Sequence, residues 1–203
     1  PTQFFEMHLH GPDHMLERLK IDGKTLTFKI SPTSFFQPNP RQAEKLFSSA
    51  LQFIQGPKKH ILDLYAGTAT LSIVFAKVAD KVTAIELNPH AVFDAKVNKE
   101  LNHIENLEII CGDVGQKVQE LKKTPGFIPP DLVIVDPPRT GLDNKAIKAL
   151  LELRSQEIIY ISCNPVTQAS DIQLLMQKGY QLILLQPVDQ FPHTVHIETI
   201  ALL

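Results

Sequence analysis

The 203-residue chain has no tryptophan, only two cysteines and no large excess of either charge. Each scarcity excludes something. Cys111 and Cys163 cannot build a disulfide scaffold, nor a four-cysteine metal or iron–sulfur site. Such cysteine usage points to a reducing, cytoplasmic setting. A formal net charge of −2 leaves no strongly basic grip for a nucleic acid in this stretch of chain. Apolar runs are broken by charge, Gly or Pro before they could cross a bilayer, so no membrane span is expected. The opening PTQFFEMHLHGPDH is acidic and polar, unlike a signal peptide. It begins on Pro1 rather than Met, as a piece of a longer protein would.

What is present suffices for a full core, with 43% hydrophobic residues. Leu19 and Ile21, then Asp22-Gly23, then Leu26, Phe28 and Ile30 predict a hairpin. SPTSFFQPNP follows as a proline-rich loop. Ala43, Leu46, Phe47, Ala50, Leu51 and Ile54 then recur at helical spacing up to Gly56-Pro57. From Lys58 strand and helix alternate. HILDLY, KVTAIEL, LEIICGD, DLVIVDPP and EIIYISC read as strands, with helices after HILDLY, KVTAIEL, DLVIVDPP and EIIYISC. The first helix, AGTATLSIVFAKVA, opens on Gly67, and the last stops at Gly179. YQLILLQPVD and HIETIALL have no room for a helix between them, so they form an antiparallel pair. The expected fold is a doubly wound, mostly parallel seven-stranded α/β sheet with a terminal antiparallel strand pair, a Rossmann-like arrangement. Residues 1–31 read as the remnant of a preceding domain and 32–203 as the main domain.

Four segments carry candidate chemistry. In Asp63-Leu64-Tyr65-Ala66-Gly67-Thr68 a buried strand delivers an acid and then a glycine, which lets a ligand approach the backbone. Glu86 ends the next strand at ribose-binding spacing, and Asp113 ends the third, where a carboxylate can hold an adenine amino group. As an ordered set at successive strand ends, Gly67, Glu86 and Asp113 point to a nucleoside cofactor. Asp136-Pro137-Pro138-Arg139 fixes Asp136 at the ligand-binding edge, though a rigid turn alone explains the prolines. Cys163 stands at a strand end before a helix, whose N-terminus is expected to lower the thiol pKa. Cys111, inside an apolar strand, is expected to be a core cysteine. Glu198 is expected near the same edge, within reach of Cys163. His193 and His196 have no partners at metal-ligand spacing, and no metal is expected.

SPTSFFQPNP, ILDLYAGTATLS, AIELNP, VDPPRTGL, YISCNP and DQFPHTVHIE, in this order, resemble the RNA uracil-5 methyltransferase family. The resemblance runs from about Lys20 to the end. It implies S-adenosylmethionine as cofactor and RNA as substrate. It implies that Cys163 is the nucleophile and Glu198 the base. Gln37, Tyr65, Thr70, Glu86, Asp113 and Asp136 fall on cofactor-contacting positions. Gln37 also helps order the substrate side, Asp136 also faces the base, and Phe35 stacks on the uracil. QPVDQFPHTVHIETIALL is most similar to the ribosomal RNA branch; the transfer RNA branch shares nearly every motif. Family members usually carry an N-terminal oligonucleotide-binding barrel and a central RNA-binding domain, for which this chain has no room beyond a remnant. Two other readings stand beside this one. A cytosine-5 methyltransferase would place its cysteine in a Pro-Cys motif after the fourth strand, which here ends in DPPR. A non-catalytic cofactor- or RNA-binding module would have no use for Cys163 and Glu198.

Overall fold

A computed structural model describes residues 7–203. Strands β1 (Met15–Ile21) and β2 (Lys24–Ile30) form the hairpin. Its two-residue turn holds Asp22 and Gly23 at φ of 49° and 74°, the left-handed pair that matches strand twist and that Asp-Gly tolerates. Leu19, Ile21 and Phe28 point inward and share a core with Ala43, Leu46, Phe47 and Ala50 of α1 (Pro40–Gln52). The other edge of β2 is closed by side chains of α3 (Pro89–Leu101) and its cap. Asn98 and Asn102 each exchange two hydrogen bonds with the backbone of Lys29 and Thr27, at 2.6–3.2 Å. These amides do what a third strand would do.

The main sheet has seven strands. They are β3 (Lys58–Leu64), β4 (Ala79–Glu86), β5 (Leu107–Cys111), β6 (Leu132–Val135), β7 (Glu157–Ser162), β8 (Leu184–Val188) and β9 (Glu198–Leu202). Their order is β5-β4-β3-β6-β7-β9-β8. The first five run parallel, and β9 inserts antiparallel between β7 and β8. The order reverses between β3 and β6, so their carboxyl ends open the crevice where such sheets bind ligands. β6 is buried at all four residues, as a strand covered on both faces must be.

The structure amends three local expectations. The first helix begins later and ends sooner than its sequence suggests. Tyr65, Gly67 and Ala69 all take positive φ (64°, 54° and 62°), so the chain turns tightly before α2 (Thr70–Phe75) can start. A helix missing from the sequence reading, α4 (Val114–Lys123), fills the segment after β5. Only Val114 and Val118 of it are buried, too narrow an apolar face to announce a helix. Cys111 is exposed rather than in the core, because β5 is the sheet's edge and Cys111 ends it. The remaining helices, α5 (Asn144–Leu153) and α6 (Pro165–Met176), lie where expected.

Candidate active site

The carboxyl edge divides into two halves. On the β3–β4–β5 side, Glu86 is fixed by two backbone donors. Its Oε2 accepts from the Gly67 N–H at 2.8 Å and its Oε1 from the Asn88 N–H at 2.7 Å. Each oxygen keeps a lone pair for hydroxyl groups of a ligand. A Cβ on Gly67 would meet nothing within 4 Å, so open space stands in front of this backbone. Asp113 caps α4, with Oδ1 accepting from Gln116 N at 2.9 Å, and has a second oxygen to offer. Tyr65 is half-buried, and burial together with Asp143, Asp113 and Asp171 pushes its phenol up. The Thr70 hydroxyl is turned to Thr68, 3.2 Å away, inside the first turn of α2. These residues fit a nucleoside: an uncovered glycine and two oriented carboxylates stand at three successive strand ends.

On the β6–β7–β9 side, strand register brings the reactive residues together. Ser162 faces Thr199 at the end of the β7–β9 ladder, so Cys163 and Glu198 stand opposite each other one step further on. Opposed residues of an antiparallel pair have Cβ atoms about 5 Å apart. Glu198 is 1% exposed, and burial raises its pKa to about 7 against the opposing pull of Arg139. Asp136 follows β6 directly and keeps some solvent contact. Protein packed round its carboxyl, then Glu198 and Asp63, hold its pKa well above the usual range. Asp63 has no exposed surface; Ser72 donates to its Oδ2 at 2.5 Å, and Oδ1 has no partner. Burial lifts its pKa to about 7.

Cys163 departs from expectation. It precedes Asn164, the N-cap of α6, and stands outside the helix. Burial and then Glu198 push its thiol up, while the Arg139 guanidinium acts in the opposite sense. The Arg139 guanidinium beside the sulfur favours the thiolate, but burial and Glu198 outweigh it.

Several positioning residues carry little sequence signal. Asn164 Nδ2 and Thr167 Oγ1 both donate to the Arg139 carbonyl, at 2.9 and 3.2 Å, and so dock the DPPR turn onto the residues after Cys163. Asp171 accepts from Tyr160 Oη at 2.6 Å and from Leu142 N at 2.8 Å. Gly141 is obligatory beside it: φ is +78°, and a Cβ would lie 2.6 Å from Asp171 Oδ2. Arg139 is exposed to solvent, and its guanidinium also reaches Cys163.

The SPTSFFQPNP loop arches over this edge. At one end Ser31 and Ser34 donate to buried Asp94 at 2.8 Å, and Asn88 Nδ2 reaches the Thr33 carbonyl at 3.1 Å. At the other end Asn39 bonds Gln190. Gln37 is buried in the loop with its Oε1 unpartnered, and Phe35 is 68% exposed. Neither hydrogen-bonds Cys163 or Glu198. Among the described residues no helix is long and apolar enough to cross a membrane, and no His, Cys, Asp and Glu are grouped to hold a metal.

A sheet of this order, with acids at successive carboxyl ends, defines a Rossmann-like methyltransferase fold. Trm5 of Methanocaldococcus jannaschii, solved with adenosine, superposes with a TM-score of 0.68 at 21% identity, over 97% of this chain and 58% of that one. The profile of the tRNA (uracil-5-)-methyltransferase family matches residues 7–203, and the chain belongs to that family. An uncharacterized RNA methyltransferase of Protochlamydia amoebophila is 49% identical over all of this chain and 47% of its own length. The tRNA (uracil-54, C5)-methyltransferase of Pyrococcus abyssi, solved with S-adenosyl-L-homocysteine, is 34% identical with a TM-score of 0.78, over 95% of this chain and 45% of that one. The chain thus spans about half the length of the relatives it matches.

Proposed function

We propose that this chain is the catalytic part of a cytoplasmic, S-adenosylmethionine-dependent methyltransferase acting on C5 of a uridine in RNA. The observation that carries the proposal is the β7–β9 register, which ends on Ser162 and Thr199 and so brings the next residues, Cys163 and buried Glu198, to the same edge. Tyr65, Gly67, Thr70, Glu86 and Asp113 are assigned to the cofactor, with Gln37 above them. Glu86 takes the ribose hydroxyls and Asp113 the adenine amino group. When bound, S-adenosylmethionine supplies an electrophilic methyl group for C5.

The protein's part is to make C5 nucleophilic and then to clear its proton. The Cys163 thiolate, favoured by Arg139, adds to C6 and drives electrons toward C5 and O4. Asp136, whose surroundings favour its protonated form, is placed to donate a hydrogen bond where the enolate oxygen develops. Glu198, its pKa raised by burial to about 7, is more basic than an ordinary carboxylate. It removes the C5 proton after methylation, and the C6–S bond breaks to return the thiolate. A base reaches both groups only after leaving its stack, where exposed Phe35 can receive it.

The preferred RNA is ribosomal, on the character of residues 186–203. A transfer RNA substrate is the second reading, favoured by the Pyrococcus abyssi relative, which acts on tRNA. The first 31 residues are assigned to the end of a preceding domain that would hold the RNA. The test is transfer of labelled methyl from cofactor to rRNA and tRNA from a strain lacking the gene, followed by site mapping. A 5-methyluridine in 23S rRNA is expected. Label in tRNA alone would move the protein to the second reading, and label on cytosine would overturn the reaction itself.

A further inference from the structure

We infer that Gln190 is a positioning residue, locking the loop that bears Gln37 to the strand that bears Glu198. The inference rests on the proposed reaction and deepens it. Gln190 has no exposed surface. Its Nε2 donates to the Asn39 carbonyl at 3.2 Å, and Asn39 Nδ2 donates back to the Gln190 carbonyl at 3.4 Å. The two residues are 151 positions apart, so this reciprocal pair is a tertiary latch and not a local turn.

Both halves of the latch are anchored. Asn39 is the N-cap of α1: its carbonyl accepts from Ala43 N at 2.9 Å and its Oδ1 from Gln42 N at 3.3 Å. Gln190 N donates to Val188 O at 2.9 Å, and Val188 faces Glu198 in the β8–β9 ladder. A line of hydrogen-bonded and ladder-paired neighbours therefore runs from Asn39, two residues after Gln37, through Gln190 and Val188 to Glu198. The loop's opposite end is held by Asp94 and by Asn88, whose N–H also orients Glu86.

The chemistry of Gln190 argues against simple filling. Its Oε1 is buried without a partner, a cost that a leucine or methionine of similar size would avoid. An amide serves there for what its Nε2 holds. Glu198 is the first residue of β9, and the 191–197 segment before it is largely exposed; Thr199 is held on the β7 side by Gln168 and the Ser162 carbonyl, and the latch secures the β8 side. Without the latch the end of the β8–β9 pair is free to fray. Glu198 would then leave the C5 proton before Cys163 left the ring.

The test uses the intact protein with its RNA substrate. Gln190→Ala and Gln190→Met are compared with wild type in kcat, in melting temperature and in the fraction of methylated RNA held covalently on the protein. Displacing the base is expected to lower kcat roughly ten- to a hundredfold and to raise the methylated covalent fraction severalfold. Asn39→Ser keeps a helix cap and its carbonyl but loses Nδ2, so it should give the same signature more weakly, and the double variant, which loses both bonds, should be at least as impaired as Gln190→Ala. A purely structural residue would lower the melting temperature alone, leaving kcat of the folded protein and the covalent fraction at wild-type values. That result in Gln190→Met, which keeps the volume should Gln190→Ala not fold, overturns the latch. Failure of the wild type to methylate uridine at C5 would instead overturn the proposed reaction, and the latch's role with it.

Discussion

The two halves of the carboxyl edge use the same residue type in opposite ways. Glu86 and Asp113 are partly exposed, and backbone N–H groups bind their carboxylates into fixed orientations. Asp136 and Glu198, at the other half, accept no such backbone bonds among the described residues, and the protein packed round their carboxyls holds their pKa values above the ordinary carboxylate range. A carboxylate that accepts backbone hydrogen bonds is a stable acceptor for a ligand. One that is buried without them holds its proton more tightly and exchanges it near neutral pH. The difference separates a surface built to bind from a cluster built to move protons.

The largest expected effects break the second half. Cys163→Ala should abolish both methyl transfer and any covalent RNA adduct, since nothing then adds to C6. Glu198→Gln should lower turnover by about 10²- to 10⁴-fold, the scale of losing a general base. Its failure comes after methylation, so a denaturation-resistant protein–RNA species already carrying the methyl should accumulate. Wild-type activity should rise as pH passes through about 7, where Glu198 loses its proton. Labelled cofactor and denaturing gels distinguish the two variants, and an adduct in Cys163→Ala would rule out the thiolate mechanism.

Asp63 extends the contrast to stability. Its folded pKa of about 7 exceeds the ordinary value of 3.8, so the folded state binds the proton more tightly than the unfolded chain. That contribution is fully present below about pH 4 and is lost as pH rises through about 7, a change of roughly 4 kcal/mol. Asp63→Asn cannot ionise. Its unfolding free energy should therefore fall less than wild type's between pH 5 and pH 8 in urea titrations. Parallel curves would mean that Asp63 is charged in the fold. On the binding half, Glu86→Ala should weaken S-adenosylhomocysteine binding by about 1–3 kcal/mol, read by calorimetry, and equal affinity would remove Glu86 from the site.

The binding half was the more legible in sequence. Gly67, Glu86 and Asp113 each follow a strand whose apolar run is unmistakable, so the ends locate themselves. The terminal strand pair was legible too, because the chain between Val188 and Glu198 is too short for a helix, and antiparallel return sets Glu198 beside Cys163. What sequence did not carry was environment. Asp63 looks like a turn acid, yet it sits beneath the edge with Ser72 as its one side-chain donor. Arg139 is solvent-exposed, yet its carbonyl is held by Asn164 and Thr167 and its side chain reaches Cys163. Burial and Glu198 push the thiol of Cys163 up, against the lowering expected from its place before a helix. Such effects depend on which segments meet, and Asn39 and Gln190 lie at opposite ends of the chain.

The smallest effect sharpens the comparison most, because Asp113 has two jobs on the binding half. Its Oδ1 caps α4 through Gln116 N, a role asparagine fills as well as aspartate. Its charge and its second oxygen are what a ligand amino group would use. Asp113→Asn should therefore leave stability within about 0.5 kcal/mol of wild type while weakening S-adenosylhomocysteine, because the amide replaces one acceptor by a donor. Asp113→Ala should lose both functions, with about 1 kcal/mol of stability from the missing cap. Urea unfolding and calorimetry on the same two variants separate the roles. Unchanged affinity in both would leave Asp113 as a helix cap and confine the cofactor's acidic contacts to Glu86.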